Sequence, residues 1–225
     1  AKREAAVKQQ NHDWRQFKSN SHPTIGVEIE LAVLHPDSLD LAPRSLEALS
    51  ALPRSLSASG RSGCELQSNS VELRTGVCAD IAAVRRDLAA SLNALHASER
   101  AAGVRYCGLG MHPYARWQDQ RITPRARPQE VAHELQSIGQ RAAVFGLHVH
   151  VGMRSGARAV AILHALVPAL PILLALSANS PYCESQDSGL ASMRRQVLAS
   201  MPRTGLPPPA TSWTQWVALV EQLHA

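Results

Sequence analysis

The sequence predicts an α+β domain built on a sheet that keeps one polar face open to a ligand. Three observations lead there. The stretch "TIGVEIELAVL", Thr24 to Leu34, alternates apolar and polar residues with a period of two, the pattern of a strand with unlike faces. The stretch "VFGLHVHVG", Val144 to Gly152, sets His148 and His150 one residue apart in an otherwise apolar run. Helical patterns alternate with these strands, the longest running from Asp80 to about Ala102. Long helices beside strands with one polar face argue for α+β rather than a sheet covered on both sides.

Taken in order, residues 1–22 are a polar lead-in and residues 23–225 the domain proper. In the first strand Ile25, Val27, Ile29, Leu31 and Val33 share the core face, while Gly26, Glu28, Glu30 and Ala32 share the other, since residues i and i+2 point the same way. "HPDSLDLAP" is a turn, and "RSLEALSAL" a short helix ended by Pro53. "SLSASGRSG" reads as a flexible small-residue loop of the kind that covers a site. "CELQSNSVELR", Cys64 to Arg74, reads as a second extended segment with a bulge, bearing Glu65 and Glu72. Ile81, Val84, Leu88, Leu92 and Leu95 then recur at three and four, giving an amphipathic helix closed by Gly103.

"VRYCGLG" is a strand, "MHPYARWQDQ" a loop, and "PQEVAHELQSIGQRAA" a helix opened by Pro128. The H-x-H strand follows. "AVAILHALVPALPILLALSA", Ala159 to Ala178, has His164 as its one ionisable group and reaches the length of a membrane span. Pro168 and Pro171 break its ladder and alanine dilutes its hydrophobicity, so a kinked, buried helix pair is expected and no membrane partner. "SANSPYCESQDSGLASMRRQ" is a polar loop entering a helix with Arg194 and Arg195 near its start. A proline-rich connector, "MPRTGLPPPATS", leads to the amphipathic "WTQWVALVEQLHA". Residues 24–34, 64–74, 104–109 and 144–153 are expected to form one mixed or antiparallel sheet with helices on its opposite face.

Composition narrows the function classes. The 225 residues are 45% hydrophobic, enough for one large domain or two small ones. The net charge of +5 is carried mostly by scattered arginines, with only four Trp, three Tyr and two Phe for base stacking. Nothing there supports nucleic-acid binding, and a small polyanion such as a nucleoside triphosphate accounts for the charge equally well. Cys64, Cys78, Cys107 and Cys183 are widely spaced with no C-x-x-C pair, which reads as reduced thiols of a cytoplasmic protein. "AKREAAVKQQNHDWRQFK" contains no signal-peptide core, and the missing initiator Met suggests a start inside a longer product.

Glu28 and Glu30, Glu65 and Glu72, and His148 and His150 form the candidate constellation. Each pair alone is ordinary: E-x-E strands are more often simply solvated, and H-x-H strands more often find hydrogen-bond partners. Four carboxylates and two imidazoles in one domain are harder to dismiss. An oxygen-rich set with imidazole suits Mg²⁺ or Mn²⁺ better than structural zinc. Two such ions can bridge the phosphates of ATP. An H-x-H metallohydrolase fits worse, because the motif falls late and only His164 and His224 follow.

The runs "TIGVEIELAVL", "CELQSNSVELRTGVC", "GMHPYARW", "VFGLHVHVG" and "SANSPY…DSGLASMRRQV…MPRTGLPP" together resemble the carboxylate–amine ligases of the type 2 glutamate–cysteine ligase family, in the glutamine-synthetase-like superfamily. The likeness runs in order from about Thr24 to about Trp216. It implies a mostly antiparallel sheet whose concave face holds ATP and Mg²⁺ or Mn²⁺, with helices on the other face. The implied reaction phosphorylates the carboxylate of glutamate or a similar acid, and an amine or amino acid then displaces phosphate to form an amide. By the same resemblance Glu28, Glu30, Glu65, Glu72 and His148 are metal ligands. His150 faces the phosphates or substrate, and Arg194 contacts an anion. The family also places a later glutamate and further arginines beyond Ala225, so residues 1–225 alone are expected to bind Mg·ATP weakly and turn over poorly. The alternative reading is an inactive paralogue or a truncated nucleotide- or metal-binding module. Self-association into a homo-oligomer is expected if the sheet is incomplete.

Overall fold

The computed structural model describes residues 15–57 and 60–224. In chain order the elements are β1 (Ile25–Leu34), α1 (Ser45–Ser50), α2 (Arg54–Ser57), β2 (Ser62–Cys64), β3 (Ser70–Arg74), α3 (Ile81–Ala102), β4 (Arg105–Cys107) and α4 (Ala126–Arg141). There follow β5 (Leu147–Val151), α5 (Gly156–Leu166), α6 (Leu170–Leu176), β6 (Tyr182–Cys183), β7 (Gln186–Asp187), α7 (Arg194–Ala199) and α8 (Trp213–His224). The chain divides into two units. One comprises Ile25–Val151 and Ile172–Gly205, the other Ala1–Thr24, Gly152–Pro171 and Leu206–Ala225.

In the first unit β1 organises an antiparallel sheet. One edge of β1 pairs with β3 along Glu28–Ala32. The other edge is shared, by β5 along Ile25–Ile29 and by β4 along Ala32–Leu34. β2 pairs outside β3. The fold is therefore the expected α+β, with an antiparallel rather than a mixed sheet.

Two expected elements differ. Cys64–Arg74 is a hairpin, β2 turning into β3, and not one bulged strand. Its turn carries the buried polar residues Gln67, Ser68 and Asn69. Their bonds are met across the chain: Asn69 Nδ2 donates to Gln120 Oε1 at 2.7 Å, and Gln67 Nε2 to the Gln140 carbonyl at 2.7 Å. Satisfied polar groups of this kind hold a turn that hydrophobic alternation does not reveal. Of the small-residue loop expected over the site, the described residues are the end of the short helix α2, the connecting Gly60 and Arg61, and the start of the strand β2.

Leu31, Val33, Val71 and Leu73 pack with Leu95, Ala102, Val104 and Tyr106 into the main core. Thus α3 covers the apolar face of β1 and β3. Its N-terminus is capped by the Asp80 carboxylate, which accepts the Ala83 N–H at 2.7 Å. Gly103 closes it in the left-handed conformation, with φ of 63°. Ile81, expected on the buried stripe, is exposed, because the helix first meets the sheet at Val84. Helices do not cover β5 in the same way: Leu147, Val149 and Val151 are 62%, 60% and 51% exposed. The helix after Pro128 begins two residues earlier, at Ala126, and is interrupted at Gln136.

The second unit brings α5 against α8. Phe17 meets Trp213 edge to face, with centroids 5.1 Å apart, and Trp213 Nε1 donates to the Arg15 carbonyl at 2.8 Å. His164 Nε2 lies 2.6 Å from the Ala210 carbonyl, so the lone ionisable group of the apolar segment has a structural partner. That segment was expected to be buried. Instead Gly156–Leu176 is a largely unburied helical run of 21 residues, long and apolar enough by length and composition to cross a membrane. Its ladder tightens to a 3-10 turn at Val167–Ala169, where Pro168 removes a donor.

Candidate metal centre and its adjoining cavity

Register alone assembles the site. On β1, Glu28 stands opposite Arg74 on one side and His148 on the other. Glu30 stands opposite Glu72, and Gly26 opposite His150. Paired residues share a sheet face, as do residues two apart. All six charged or titratable groups therefore rise from one side of the sheet, the side opposite the Leu31–Val33 core.

The side chains converge on Glu28. His148 Nδ1 and His150 Nε2 each lie 3.3 Å from Glu28 Oε2. One ligand atom from each of Glu28, Glu72 and His148 falls within 4.8 Å of the others. Two carboxylates and an imidazole at that spacing fit a hard divalent cation. Gly146 makes room for the ring, since a Cβ there would come within 2.9 Å of His148 Nε2. Glu30 shares the face but stands outside this trio; its Oε2 accepts the Gly146 N–H at 2.7 Å. Glu65 lies just past β2, hydrogen-bonded to Glu72.

Electrostatics separates the carboxylates. Burial, reinforced by the Glu65 charge, pushes Glu72 up to about 8, against the pull of Arg74. Glu65 is raised too, by burial and then by Glu30. Burial also acts to raise Glu28, but the hydrogen bond and charge of His150 overcome it and hold Glu28 below the usual range. At neutral pH the ion-free cluster thus keeps a proton on Glu72. A divalent cation would take that proton's place.

Beside the trio lies a cavity of about 240 Å³, lined by Glu30, Glu65, Ser70, His148, Arg194 and Met201 among others. Arg194, the first residue of α7, donates from Nε to the Phe145 carbonyl at 3.0 Å. That bond fixes its side chain at the wall. The buried Ser70 hydroxyl has no hydrogen-bond partner among the described residues. A larger opening of about 780 Å³ shares Glu30 and Arg194, so these two residues border both spaces. All seven residues singled out from sequence fall in this unit, and Arg194 shares the cavity wall with Glu30, Glu65 and His148. The sequence reading missed Arg74 and Ser70. Their signal was present, because S-V-E-L-R places both on the Glu72 face at a period of two.

An antiparallel sheet carrying carboxylates and imidazoles on one face, beside an arginine-walled cavity, defines an α+β protein with a candidate ion site. The profile of glutamate-cysteine ligase family 2 matches residues 24–225, and the chain belongs to that family. It is 36% identical over 207 residues to a Gloeobacter violaceus protein named "putative glutamate–cysteine ligase 2", covering 92% of this chain and 56% of that one. Proteins named "putative glutamate–cysteine ligase 2-1" are similar in Corynebacterium efficiens (36% over 203 residues, 90% and 53% covered) and Frankia alni (35% over 211 residues, 93% and 55% covered). The chain spans about half the length of the curated relatives it matches.

Proposed function

We propose that the protein, with the further length its relatives have, is an ATP-dependent carboxylate–amine ligase acting on glutamate or a similar acid. The observation that carries the reading is the convergence of Glu28, Glu72 and His148 within 4.8 Å, in a member of a ligase family. Glu28, Glu72 and His148 would hold Mg²⁺ or Mn²⁺, with Glu30 and Glu65 as flanking carboxylates. The ion would supply charge neutralisation for a transferring phosphoryl group. His150 orients Glu28 through its 3.3 Å contact. Arg194, held at the cavity wall, would face an anionic group of nucleotide or acid.

In this reading a substrate carboxylate oxygen takes the γ-phosphoryl group of ATP, and ADP leaves. The amine nitrogen then attacks the acyl carbon, inorganic phosphate leaves, and the nitrogen gives up a proton. The test is ATP-dependent phosphate release with glutamate across a panel of amines, on this chain and on a longer product. Amide formation that requires both the amine and Mg²⁺ supports the reading. Phosphate release indifferent to carboxylate and amine would replace it with a nucleotide hydrolase. The second reading, a metal- or nucleotide-binding module without turnover, is favoured by one observation: Arg74 already engages Glu28 and Glu72. Nucleotide binding with no product from either length would select it.

A further inference from the structure

Arg74 lies where an ion's charge would act. It stands opposite Glu28 in the register and two residues after Glu72 on the same face. Its Nη2 contacts Glu72 Oε2, and its Nε lies 3.6 Å from Glu28 Oε1. These are the two carboxylates of the candidate ion trio. The guanidinium reaches them over Gly63 on β2, where a Cβ would come within 3.1 Å of Nη1. The side chain is 38% exposed, and Nη1 also reaches the Gly60 carbonyl at 3.4 Å. It therefore has an open path away from the carboxylates.

We infer that Arg74 is a built-in counter-cation that competes with the divalent ion for Glu28 and Glu72 and so sets the ion concentration at which the site fills. The inference rests on the ion-site reading above and adds a residue to it. The physical reason is charge. A guanidinium and a divalent cation on the same two carboxylates repel at contact distance. Charge-assisted bonds from the guanidinium to Glu28 and Glu72 keep the arginine seated when no ion is present. An ion can then bind only in the fraction of molecules whose arginine has swung out, which weakens its apparent affinity by that fraction. A guanidinium seated nine-tenths of the time raises the apparent Kd about tenfold. Arg74 would thus tune ion occupancy without being an ion ligand itself.

The test is direct Mn²⁺ binding by calorimetry, without nucleotide, to the wild-type chain, Arg74→Gln, Arg74→Lys and Glu72→Gln, each checked for folding by circular dichroism. Arg74→Gln should bind Mn²⁺ about tenfold tighter or more, and Arg74→Lys, which keeps the charge, should stay nearer the wild type. In chelator, Arg74→Gln should melt lower than the wild type and gain more from added Mn²⁺. If the wild type binds Mn²⁺, Glu72→Gln loses it, and folded Arg74→Gln binds no tighter, competition is overturned while the ion site stands. If neither the wild type nor Arg74→Gln binds Mn²⁺, the ion-site reading falls and the inference falls with it.

Discussion

At the scale of single residues, the site is a problem of crowded carboxylates. Glu72 is 3% exposed and keeps its proton up to about pH 8, chiefly because it is buried and next because of Glu65. Between the ordinary carboxylate range and that value the folded state binds more protons than the unfolded one. Stability of the ion-free protein should therefore decline as pH rises from about 5 to 8. Glu28 works the opposite way, since its carboxyl is held low, and its stabilisation is lost only at acid pH, below this window. Urea unfolding in chelator at several pH values should show the decline, and Glu72→Gln, which carries no titrating proton, should flatten it. Parallel slopes for wild type and variant would assign the effect elsewhere. Ser70 gives a second handle. A buried hydroxyl left unpaired costs about 1–3 kcal/mol, so Ser70→Ala should stabilise the ligand-free protein by about 1 kcal/mol. The same change should weaken whatever ligand fills the adjoining cavity, read as lower nucleotide or glutamate affinity by calorimetry. Destabilisation by Ser70→Ala would mean that the hydroxyl is satisfied in the folded protein.

At the scale of elements, stability and site are carried by different faces of the same strands. Leu95 on α3 is fully buried against Leu31, Val33 and Val71, so Leu95→Ala should cost about 2–5 kcal/mol. Asp80→Ala, which removes the cap from that helix, should cost nearer 1 kcal/mol. Chemical denaturation measures both, and a capping loss as large as the core loss would contradict the packing described. Much of this was legible beforehand. Alternation in Thr24–Leu34 fixed which face of β1 is acidic, and H-x-H declared β5. The β2–β3 hairpin was not legible, because its turn is held by buried polar residues bonded to Gln120 and Gln140, which lie more than 50 positions away in the chain. The Ala159–Ala178 segment failed for another reason. Hydrophobicity states what surroundings a segment prefers and not that the chain supplies them, and Ile172, Leu173, Leu174 and Leu176 stand exposed. Arg74 was not legible as a site residue because a lone cation at the end of a strand is most often solvated, and only the register opposite Glu28 sets it among the carboxylates.

At the scale of the whole molecule, the proposed ion binding would couple to folding. An ion bound only by the folded state at 100 times its dissociation constant adds about 2.7 kcal/mol. In a chain of this length that moves the midpoint by roughly 5–10 °C. The gain should itself depend on pH. Toward pH 8 the ion-free reference weakens as Glu72 loses its proton, while an ion bound to Glu28, Glu72 and His148 neutralises the charge so exposed. Toward pH 5 the proton on Glu72 opposes the ion. Thermal melts with saturating Mn²⁺ and with chelator should therefore diverge as pH rises from 5 to 8, and converge at the acid end. Glu72→Gln and His148→Ala should each shrink the divergence, whereas Val149→Thr, on the opposite face of the same strand, should leave it intact. An ion-induced shift of equal size in all three variants would place the ion away from this sheet face, and a shift larger at pH 5 than at pH 8 would rule out ligation by Glu72.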